Sequence, residues 1–344
     1  MRNRGKSPTM KDVAREAGVA LGTVSKVFNG IPVGKSYQQK VEEAANRLGY
    51  SVNNYARGLR ADKTRTIAVI LPGIDHTFFS ALADSICMEL TRRDYRMVVV
   101  TTQFDTSAEA HCIQMVRQNK VDGIIGLTYS PDLVIGDDMP YVSIDRFISP
   151  NIPCVASDNF AGGSLAAEKL IELGCVKPLF LRIGSQVIGE TDKRGAGFTT
   201  VCEMKGVDYT AQRFNDEDGI EAAYRFLDAH IKDGKLEYDG IFCNTDRLLY
   251  FIKAYLEDRG IRVPEDVQMI GYDGTRMFFT DDYFCSTIVQ PVRQMAETAV
   301  SVLLSEDRST LPALICLPVT YAAGGTTREP ASSAEGGFTW QVNT

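Results

Sequence analysis

From Ile67 to about residue 304, short apolar runs alternate with amphipathic stretches. The apolar runs predict β-strands at residues 67–71, 97–100, 123–127, 141–144, 178–183, 240–243 and 268–272. Helical periodicity lies between them, at residues 78–93, 107–118, 159–173, 219–232, 246–259 and 291–304. Apolar strands separated by helices predict parallel sheets covered on both faces. Because these elements are too many for one core, we expect two doubly wound α/β lobes, with a ligand cleft at the carboxyl ends of their strands.

The first fifty residues have a different pattern, which predicts three short helices between residues 9 and 48. Thr9 is a suitable N-cap for the first helix, because Asp12 follows three residues later as in a capping box. A tight turn at Gly18 leads to a second helix at about Leu21–Phe28. Ser36 is expected to cap the third helix. Residues 50–65 are polar and basic, and we interpret them as a linker with one short helical piece.

Charge is distributed unevenly along the chain. Residues 1–65 contain thirteen Lys and Arg against five Asp and Glu, whereas the rest contains 24 basic and 39 acidic residues. A basic head on an acidic body indicates that the head binds a polyanion. No apolar run reaches the roughly 18 residues of a membrane span, and no apolar signal segment follows the basic N-terminus. We therefore expect a cytoplasmic protein with no membrane partner, whose eight scattered cysteines are reduced thiols.

The helix, turn and helix at residues 9–28 form a pattern typical of DNA-binding domains. Such a pair presents its second helix to the major groove, with the N-terminal residues nearest the base edges. Leu21, Gly22 and Lys26 are then expected to project toward bases. The short polar residues Thr23, Ser25 and Asn29 suit phosphates or base edges. The alternative is a three-helix bundle that binds another partner, which the charge of the head disfavours.

Several motifs resemble the LacI/GalR family of bacterial transcription regulators. The family motif DVA-x-x-A-G-V-x-x-x-T-V-S-x-V-x-N-G stands at residues 12–30, and most of LGY-x-P-N-x-x-A-R-x-L stands at residues 48–59. The resemblance continues to about residue 328, through VDGII at 121–125, RGIRVPEDVQMIGYD at 259–273 and STIVQP at 286–291. Their occurrence in the family's order is more specific than any single motif.

The resemblance implies a repressor that binds operator DNA as a homodimer and responds to a small-molecule effector, by family default a sugar. It also implies a hinge helix that pairs with its copy in the minor groove, where a leucine, here Leu59, wedges into the duplex. The alternative for Leu59 is packing on the core. The predicted DNA-binding residues are Thr9, Leu21, Gly22, Thr23, Ser25, Lys26, Asn29, Asn53, Tyr55, Ala56, Arg57 and Leu59.

For the core, the resemblance implies an effector cleft. Its candidate residues are Phe78, Phe79, Asp145, Arg146, Arg194, Thr245, Asp246, Asp273 and Gln290. Carboxylates and arginines suit vicinal hydroxyls, and an aromatic face suits the apolar face of a sugar ring. Simpler roles stay open: Asp246 as a helix cap, the two phenylalanines as partly core, and Arg194 as a surface ion pair. His76 lies near the predicted cleft, where we expect an ordinary loop residue.

Two other classes of function are disfavoured. A secreted solute receptor would lack the basic head. An enzyme would need a reactive motif, but the chain has no P-loop, GxGxxG, HExxH or GxSxG, so no cofactor, catalytic residue or metal site is expected. The predicted domains are a DNA-binding head at 1–49, a hinge linker at 50–65, a two-lobed effector-binding and dimerisation core at 66–328, and a flexible tail at 329–344.

Overall fold

The computed structural model describes residues 8–50, 64–118, 120–128, 135–136, 139–185, 188–277, 282–308 and 310–328. They belong to two compact units, one ending at Thr64 and one beginning at Arg65. Most of the predicted linker and the whole predicted tail lie outside the described residues. The domain boundaries given above therefore stay predictions.

The first unit contains three helices: α1 Met10–Ala17, α2 Leu21–Phe28 and α3 Lys35–Leu48. Val13, Val24 and Val41, one from each helix, are fully buried and form the centre of a small core. The predicted capping box is confirmed, because Thr9 and Asp12 bond to each other's backbone N–H groups. The expected cap at Ser36 is wrong: α3 begins at Lys35, two residues earlier than that cap implies, with Gly34 at its N-cap.

The second unit contains seven helices among its described residues. They are α4 Thr77–Arg92, α5 Thr106–Gln118, α6 Asn159–Glu172, α7 Lys193–Lys205, α8 Gly219–Ala229, α9 Asp246–Glu257 and α10 Val292–Leu303. Its strands are β1 Thr66–Leu71, β2 Arg96–Thr101, β3 Gly123–Gly126, β4 Tyr141–Ile144, β5 Cys154–Ser157, β6 Pro178–Gly184, β7 Thr210–Asn215, β8 Ile231–Lys232, β9 Lys235–Leu236, β10 Gly240–Cys243, β11 Gln268–Asp273, β12 Thr287–Val289, β13 Leu314–Leu317 and β14 Thr320–Ala322.

Two six-stranded sheets divide this unit into lobes. The first lobe has the strand order β13-β5-β4-β3-β1-β2, and all its pairs are parallel. The second lobe has the order β14-β12-β11-β10-β6-β7, parallel except where β14 pairs with β12. The predicted fold, two parallel α/β lobes behind a helical head, is confirmed.

The chain passes between the lobes three times. It leaves the first lobe after β5 and returns after β12, so that α10 packs with α4 in the first lobe's core. It leaves again between β13 and β14. The lobes are therefore joined by three short connections on one side, while the carboxyl ends of their parallel strands form a cleft, where ligands bind in open α/β sheets.

Candidate effector cleft and DNA-contact helix

A cavity of about 160 Å³ lies in the cleft between the lobes. Eight of the nine predicted effector residues line it: Phe78, Phe79, Asp145, Arg146, Arg194, Thr245, Asp273 and Gln290. The first lobe contributes the two phenylalanines, Asp145 and Arg146, and the second lobe contributes Arg194, Thr245 and Asp273. The cavity is therefore assembled from both lobes, and its shape depends on how they close.

Two aspartates dominate the polar part of the cavity. Asp145 directly follows β4 and Asp273 ends β11, and both are buried. Their backbones have positive φ, +51° at Asp145 and +126° at Asp273, a conformation that residues other than glycine rarely adopt. Such strain is held only where the surrounding structure enforces it, and it is concentrated at functional sites.

Three acceptor oxygens of the cavity-lining residues are buried without a hydrogen-bond donor among the described residues. They are Oδ1 of Asp145, Oδ2 of Asp273 and Oδ1 of Asn244. In two of these side chains the other polar atom forms a hydrogen bond. Gln290 Nε2 donates to Asp273 Oδ1 over 2.8 Å, and Asn244 Nδ2 donates to the Ile183 carbonyl over 3.1 Å. Because an unsatisfied buried acceptor is costly, the cavity is matched to a ligand that brings hydrogen-bond donors.

Burial also sets the ionisation of these carboxyls. It raises the pKa of Asp145, against the opposing effect of the Arg194 guanidinium. It raises the pKa of Asp273 well above the ordinary value, and Arg194 opposes it there too. Both shifts reflect the cost of holding a charge in a poorly hydrated site. A ligand whose hydroxyls donate to these oxygens would offset that cost.

Arg194 is a buried part of the site rather than a surface ion pair. Its Nε donates to Asn159 Oδ1 over 2.7 Å, its Nη1 donates to the Asn244 carbonyl over 2.6 Å, and its guanidinium lies 3.6 Å from the ring centre of Tyr272. α7 brings it there by packing closely on α6. A Cβ at Gly163 would lie 1.8 Å from the Arg194 carbonyl oxygen, so only glycine permits this approach.

The aromatic side of the cavity belongs equally to the core of the first lobe. Phe78 and Phe79, in the first turn of α4, are both buried in that core and both line the cavity. His76 precedes them and caps α4, because its Nδ1 accepts from the Phe78 N–H over 3.3 Å. Burial lowers the pKa of His76 to about 4, so the ring is neutral near pH 7. The expectation of an ordinary loop residue is therefore wrong, since His76 lines the cavity.

Of the neighbouring residues Thr245 and Asp246, only Thr245 lines the cavity. Thr245 lines the cavity and caps α9, with its hydroxyl accepting from the Leu248 N–H over 3.1 Å. Asp246 does not line this cavity. Its Oδ1 accepts from the Thr287 hydroxyl and its Oδ2 from the Thr275 N–H, both over 2.7 Å. Asp246 thus fixes the loop after β11, the loop that follows Asp273.

Sequence reasoning missed several polar residues of the cavity, among them Arg182 and Asn244. Arg182 interrupts the apolar run of β6 and pairs with Asp192 over 2.6 Å. A buried charge inside an apolar strand was the available signal. Asn244 follows β10 at the same sheet edge as Asp273, so its position after a buried strand was a signal too.

The head unit presents α2 with one exposed face. Leu21, Gly22, Lys26 and Asn29 are exposed, whereas Val24 is buried. Thr23 and Ser25 are half-buried, and Asn29 Nδ2 donates to the Ser25 hydroxyl over 3.3 Å. Thr9 is exposed, but its hydroxyl is committed to Asp12 over 2.7 Å. The predicted hinge residues Asn53, Tyr55, Ala56, Arg57 and Leu59 lie outside the described residues.

Other features of the described chain are plain. All eight cysteines are free thiols, and five of them are buried. In the part of the chain that the structure describes, no group of three or more His, Cys, Asp or Glu side chains could hold a metal ion. None of the described helices is both long enough and apolar enough to span a membrane.

Comparisons with known proteins decide the family. Residues 9–53 match the sequence model of bacterial regulatory proteins of the lacI family, and residues 167–327 match that of a periplasmic binding protein-like domain. A sucrose operon repressor of Streptococcus mutans is 32% identical over 327 residues, covering 92% of this chain and 98% of that protein. The chain belongs to the lacI family of bacterial regulatory proteins. It is a DNA-binding transcriptional regulator, and the prediction of a regulator rather than an enzyme is confirmed.

Other lacI-family members and solved structures agree with this assignment. A ribose operon repressor of Bacillus subtilis is 31% identical, with 93% of this chain and 99% of that protein covered. A lac repressor dimer bound to operator has the same fold, with a TM-score of 0.76, 22% identity and coverage of 94% and 99%. A regulator from Alkaliphilus metalliredigens complexed with D-xylulofuranose has a TM-score of 0.65 and 25% identity, with 77% of this chain and all of that chain covered.

Proposed function

We propose that the protein is a repressor whose affinity for operator DNA is controlled by a sugar bound between the lobes of its core. The observation that carries this proposal is the set of three buried acceptors, on Asp145, Asp273 and Asn244, that find no donor in the part of the chain that the structure describes. Sugar hydroxyls can donate to all three at once. A phosphorylated or carboxylated ligand would instead place negative charge beside two carboxyls whose charge is already disfavoured by burial.

The apolar and cationic residues of the cavity fit the same ligand. Phe78 and Phe79 supply the aromatic surface that covers the apolar face of a sugar ring. Arg194 can donate to ring or hydroxyl oxygens while its Nε and Nη1 hold Asn159 and Asn244. A volume of about 160 Å³ is small among ligand cavities, which favours a small ligand. We assign Arg146, Thr245 and Gln290 to the polar wall, and Asp246 to positioning.

The names of similar proteins support a sugar as well. Several relatives are called sucrose or ribose operon repressors, and one solved structure of the same fold is a regulator in complex with cellobiose. We therefore propose that the genes repressed by this protein serve the uptake or breakdown of a sugar. A nucleobase is the alternative effector, and the screen described below distinguishes the two.

For the head, we propose that α2 enters the major groove of the operator. Leu21 is 43% exposed although it is apolar, and Lys26 is exposed one turn further along. An added Cβ at Gly22 would meet nothing within 4 Å, so the helix surface is open there. We assign Leu21, Gly22 and Lys26 to base edges, Thr23, Ser25 and Asn29 to phosphates or base edges, and Thr9 to the phosphate backbone. The linker residues Asn53, Tyr55, Ala56 and Leu59 are proposed to contact the minor groove, and Arg57 to lie close to the DNA backbone.

We propose that the protein acts as a homodimer. The edge strand β2 exposes Val98 and Val99, and an apolar edge strand left uncovered is prone to associate. The second lobe exposes three aromatic residues, and the ring of Tyr250 lies 5.6 Å from that of Phe251 and 5.4 Å from that of Phe284, between ring centres. Exposed apolar clusters of this kind mark interfaces. Analytical ultracentrifugation should find a dimer that Tyr250→Glu weakens.

The experiment that tests the sugar proposal is a thermal-shift screen of the full chain. A ligand that binds only the folded state raises the melting temperature in proportion to the logarithm of its concentration. We expect a shift with at least one of sucrose, fructose, glucose, ribose and xylose, and none with adenine, guanine or hypoxanthine. A shift with a nucleobase alone would contradict the proposal.

A further inference from the structure

Three consecutive residues of the first lobe, Asp75, His76 and Thr77, each approach the second lobe. Arg247 Nη1 lies 3.1 Å from Asp75 Oδ2, and the hydroxyls of Thr77 and Thr275 are 3.1 Å apart. Between these contacts, His76 Nε2 lies 3.9 Å from Asp273 Oδ2. We call residues 75–77 the closure segment. It follows β1 and ends at the first residue of α4, at the edge of the cleft.

The contacting residues stand on, or next to, helices and loops of their own lobe. On the first lobe, His76 caps α4 and Thr77 begins it. On the second lobe, Arg247 lies in the first turn of α9, and the Thr275 N–H is fixed by Asp246 Oδ2 over 2.7 Å. Separation of the lobes would carry the two ends of each contact apart. The two contacts therefore exist only while the cleft is closed to its present extent.

The two contacting residues of the closure segment do not line the effector cavity. Asp75 and Thr77 are absent from its wall, whereas His76 belongs to it. Thr77 and Thr275 instead line a groove of about 940 Å³, which shares Phe78, Asp273 and Gln290 with the cavity. The Thr77–Thr275 contact thus lies beside the residues that separate cavity and groove.

We propose that Asp75 and Thr77 are positioning residues that hold the lobes closed through Arg247 and Thr275, and so set how long an effector stays bound. This inference rests on the proposed function of the cleft as the effector site. The ion pair is exposed, with side-chain exposures of 69% for Asp75 and 53% for Arg247, so its strength is modest. Loss of such a pair changes an equilibrium by about two- to fivefold.

Hydrogen exchange of the full chain without any ligand tests the closure itself. The variants are Arg247→Gln, which removes the ion pair, and Thr77→Val, which removes the hydroxyl contact at similar volume. The control is Lys253→Gln, which breaks the 2.6 Å pair with Glu257 on the same helix without reaching the other lobe. Amide exchange is read at residues 144–146 and 182–185, which line the cleft but lie away from the substitutions.

The proposal expects exchange in both cleft segments to become about two- to fivefold faster in Arg247→Gln and in Thr77→Val, and to stay unchanged in Lys253→Gln. The combined variant Asp75→Arg with Arg247→Asp should return exchange toward the wild-type rate. If neither single variant changes exchange at residues 144–146 and 182–185, or if Lys253→Gln changes it equally, the proposal is overturned.

A second measurement connects closure to the effector. For whichever of sucrose, fructose, glucose, ribose or xylose binds the wild type, Arg247→Gln should raise the dissociation rate about two- to fivefold and leave the association rate nearly unchanged. An unchanged dissociation rate would refute the link to residence time. If none of these sugars binds, the proposed function fails, while the exchange measurement still decides whether the closure segment holds the lobes.

Discussion

Gln290 Nε2 donates a 2.8 Å hydrogen bond to Oδ1 of Asp273, while Oδ2 of the same carboxyl has no donor among the described residues. Gln290 follows β12 at one of the connections between the lobes, and Asp273 ends β11 in the cleft. The hydrogen bond therefore ties a ligand-facing carboxyl to the point where the chain turns back to the first lobe. Ligand binding or a substitution at Asp273 can therefore affect the movement of the lobes through Gln290.

Asp273→Asn should stabilise the ligand-free protein and abolish its response to effector. An amide carries no charge into the buried site, so the free energy of unfolding at pH 7 should rise by about 1 kcal/mol or more, about 2–4 °C in melting temperature. Thermal unfolding checks this. The matched control is Asp266→Asn, at an exposed carboxylate whose pKa is lowered by its bond to Arg262; there the same substitution should lower stability.

The stabilising effect of Asp273→Asn should disappear in acid. Because the folded-state pKa of Asp273 is raised, the folded protein binds this proton more tightly than the unfolded chain does. The stability penalty of the charged form is thus removed as the pH falls below the raised pKa. Unfolding curves of wild type and variant should converge with decreasing pH. Parallel curves would contradict the assignment.

His76→Asn should flatten the acid dependence of stability between pH 6.5 and about 4. The pKa of His76 is lowered to about 4 by burial, against about 6.5 in the unfolded chain. In that window the unfolded chain takes up a proton that the folded protein does not, so wild-type stability falls as the pH falls. Asparagine can still accept from the Phe78 N–H. Urea unfolding at several pH values, with the variant compared to wild type, measures the difference.

Arg194→Lys should weaken effector binding about tenfold or more while the protein still folds. Lysine keeps the charge but loses the planar contact with Tyr272 and one of the two hydrogen bonds to Asn159 and the Asn244 carbonyl. Calorimetric titration with the identified sugar measures the loss. Arg293→Lys, at an exposed residue paired with Glu297, serves as the control and should bind normally.

Ala20→Ser should stabilise the head. α2 begins with Ala20 at its N-cap and has no side-chain hydrogen bond there. A serine hydroxyl could accept from a free N–H of the first turn, worth about 1 kcal/mol. Hydrogen exchange of the α2 amides should slow accordingly. As a control, Thr9→Ala removes the cap of α1 and should accelerate exchange of the α1 amides. If Ala20→Ser accelerates exchange of the α2 amides instead of slowing it, serine does not cap α2.

Much of the fold could be predicted because apolar runs and helix caps are local signals. The strands at residues 141–144 and 240–243 coincide with the prediction, as do the ends of α2. The missed elements carry weaker signals. β7 is half exposed with polar residues along it, and β12 and β14 have three residues each. Their existence depends on pairing with other strands of the second-lobe sheet, which no local pattern records.

The candidate site was predictable only in part for the same reason. Asp145 and Asp273 could be placed because carboxyl ends of parallel strands converge. Arg194 depends on α7, a helix that the periodicity did not identify, and on the close approach at Gly163. Asp246 was expected in the cleft, yet it is engaged by Thr287 and Thr275 instead. The hydrogen-bond partner of such a side chain depends on which strands pack beside it, and the sequence around the residue does not show this.

We propose that a sugar held by Asp273 in the core governs the affinity of the head for DNA. Fluorescence anisotropy of the full chain on DNA from upstream of its own gene measures this, with and without the sugar found by thermal shift. We expect the sugar to change the operator Kd of the wild type by about 5- to 150-fold. Asp273→Asn should bind the same DNA with no response to sugar. An equal sugar response in both proteins, or none in the wild type, would contradict the claim.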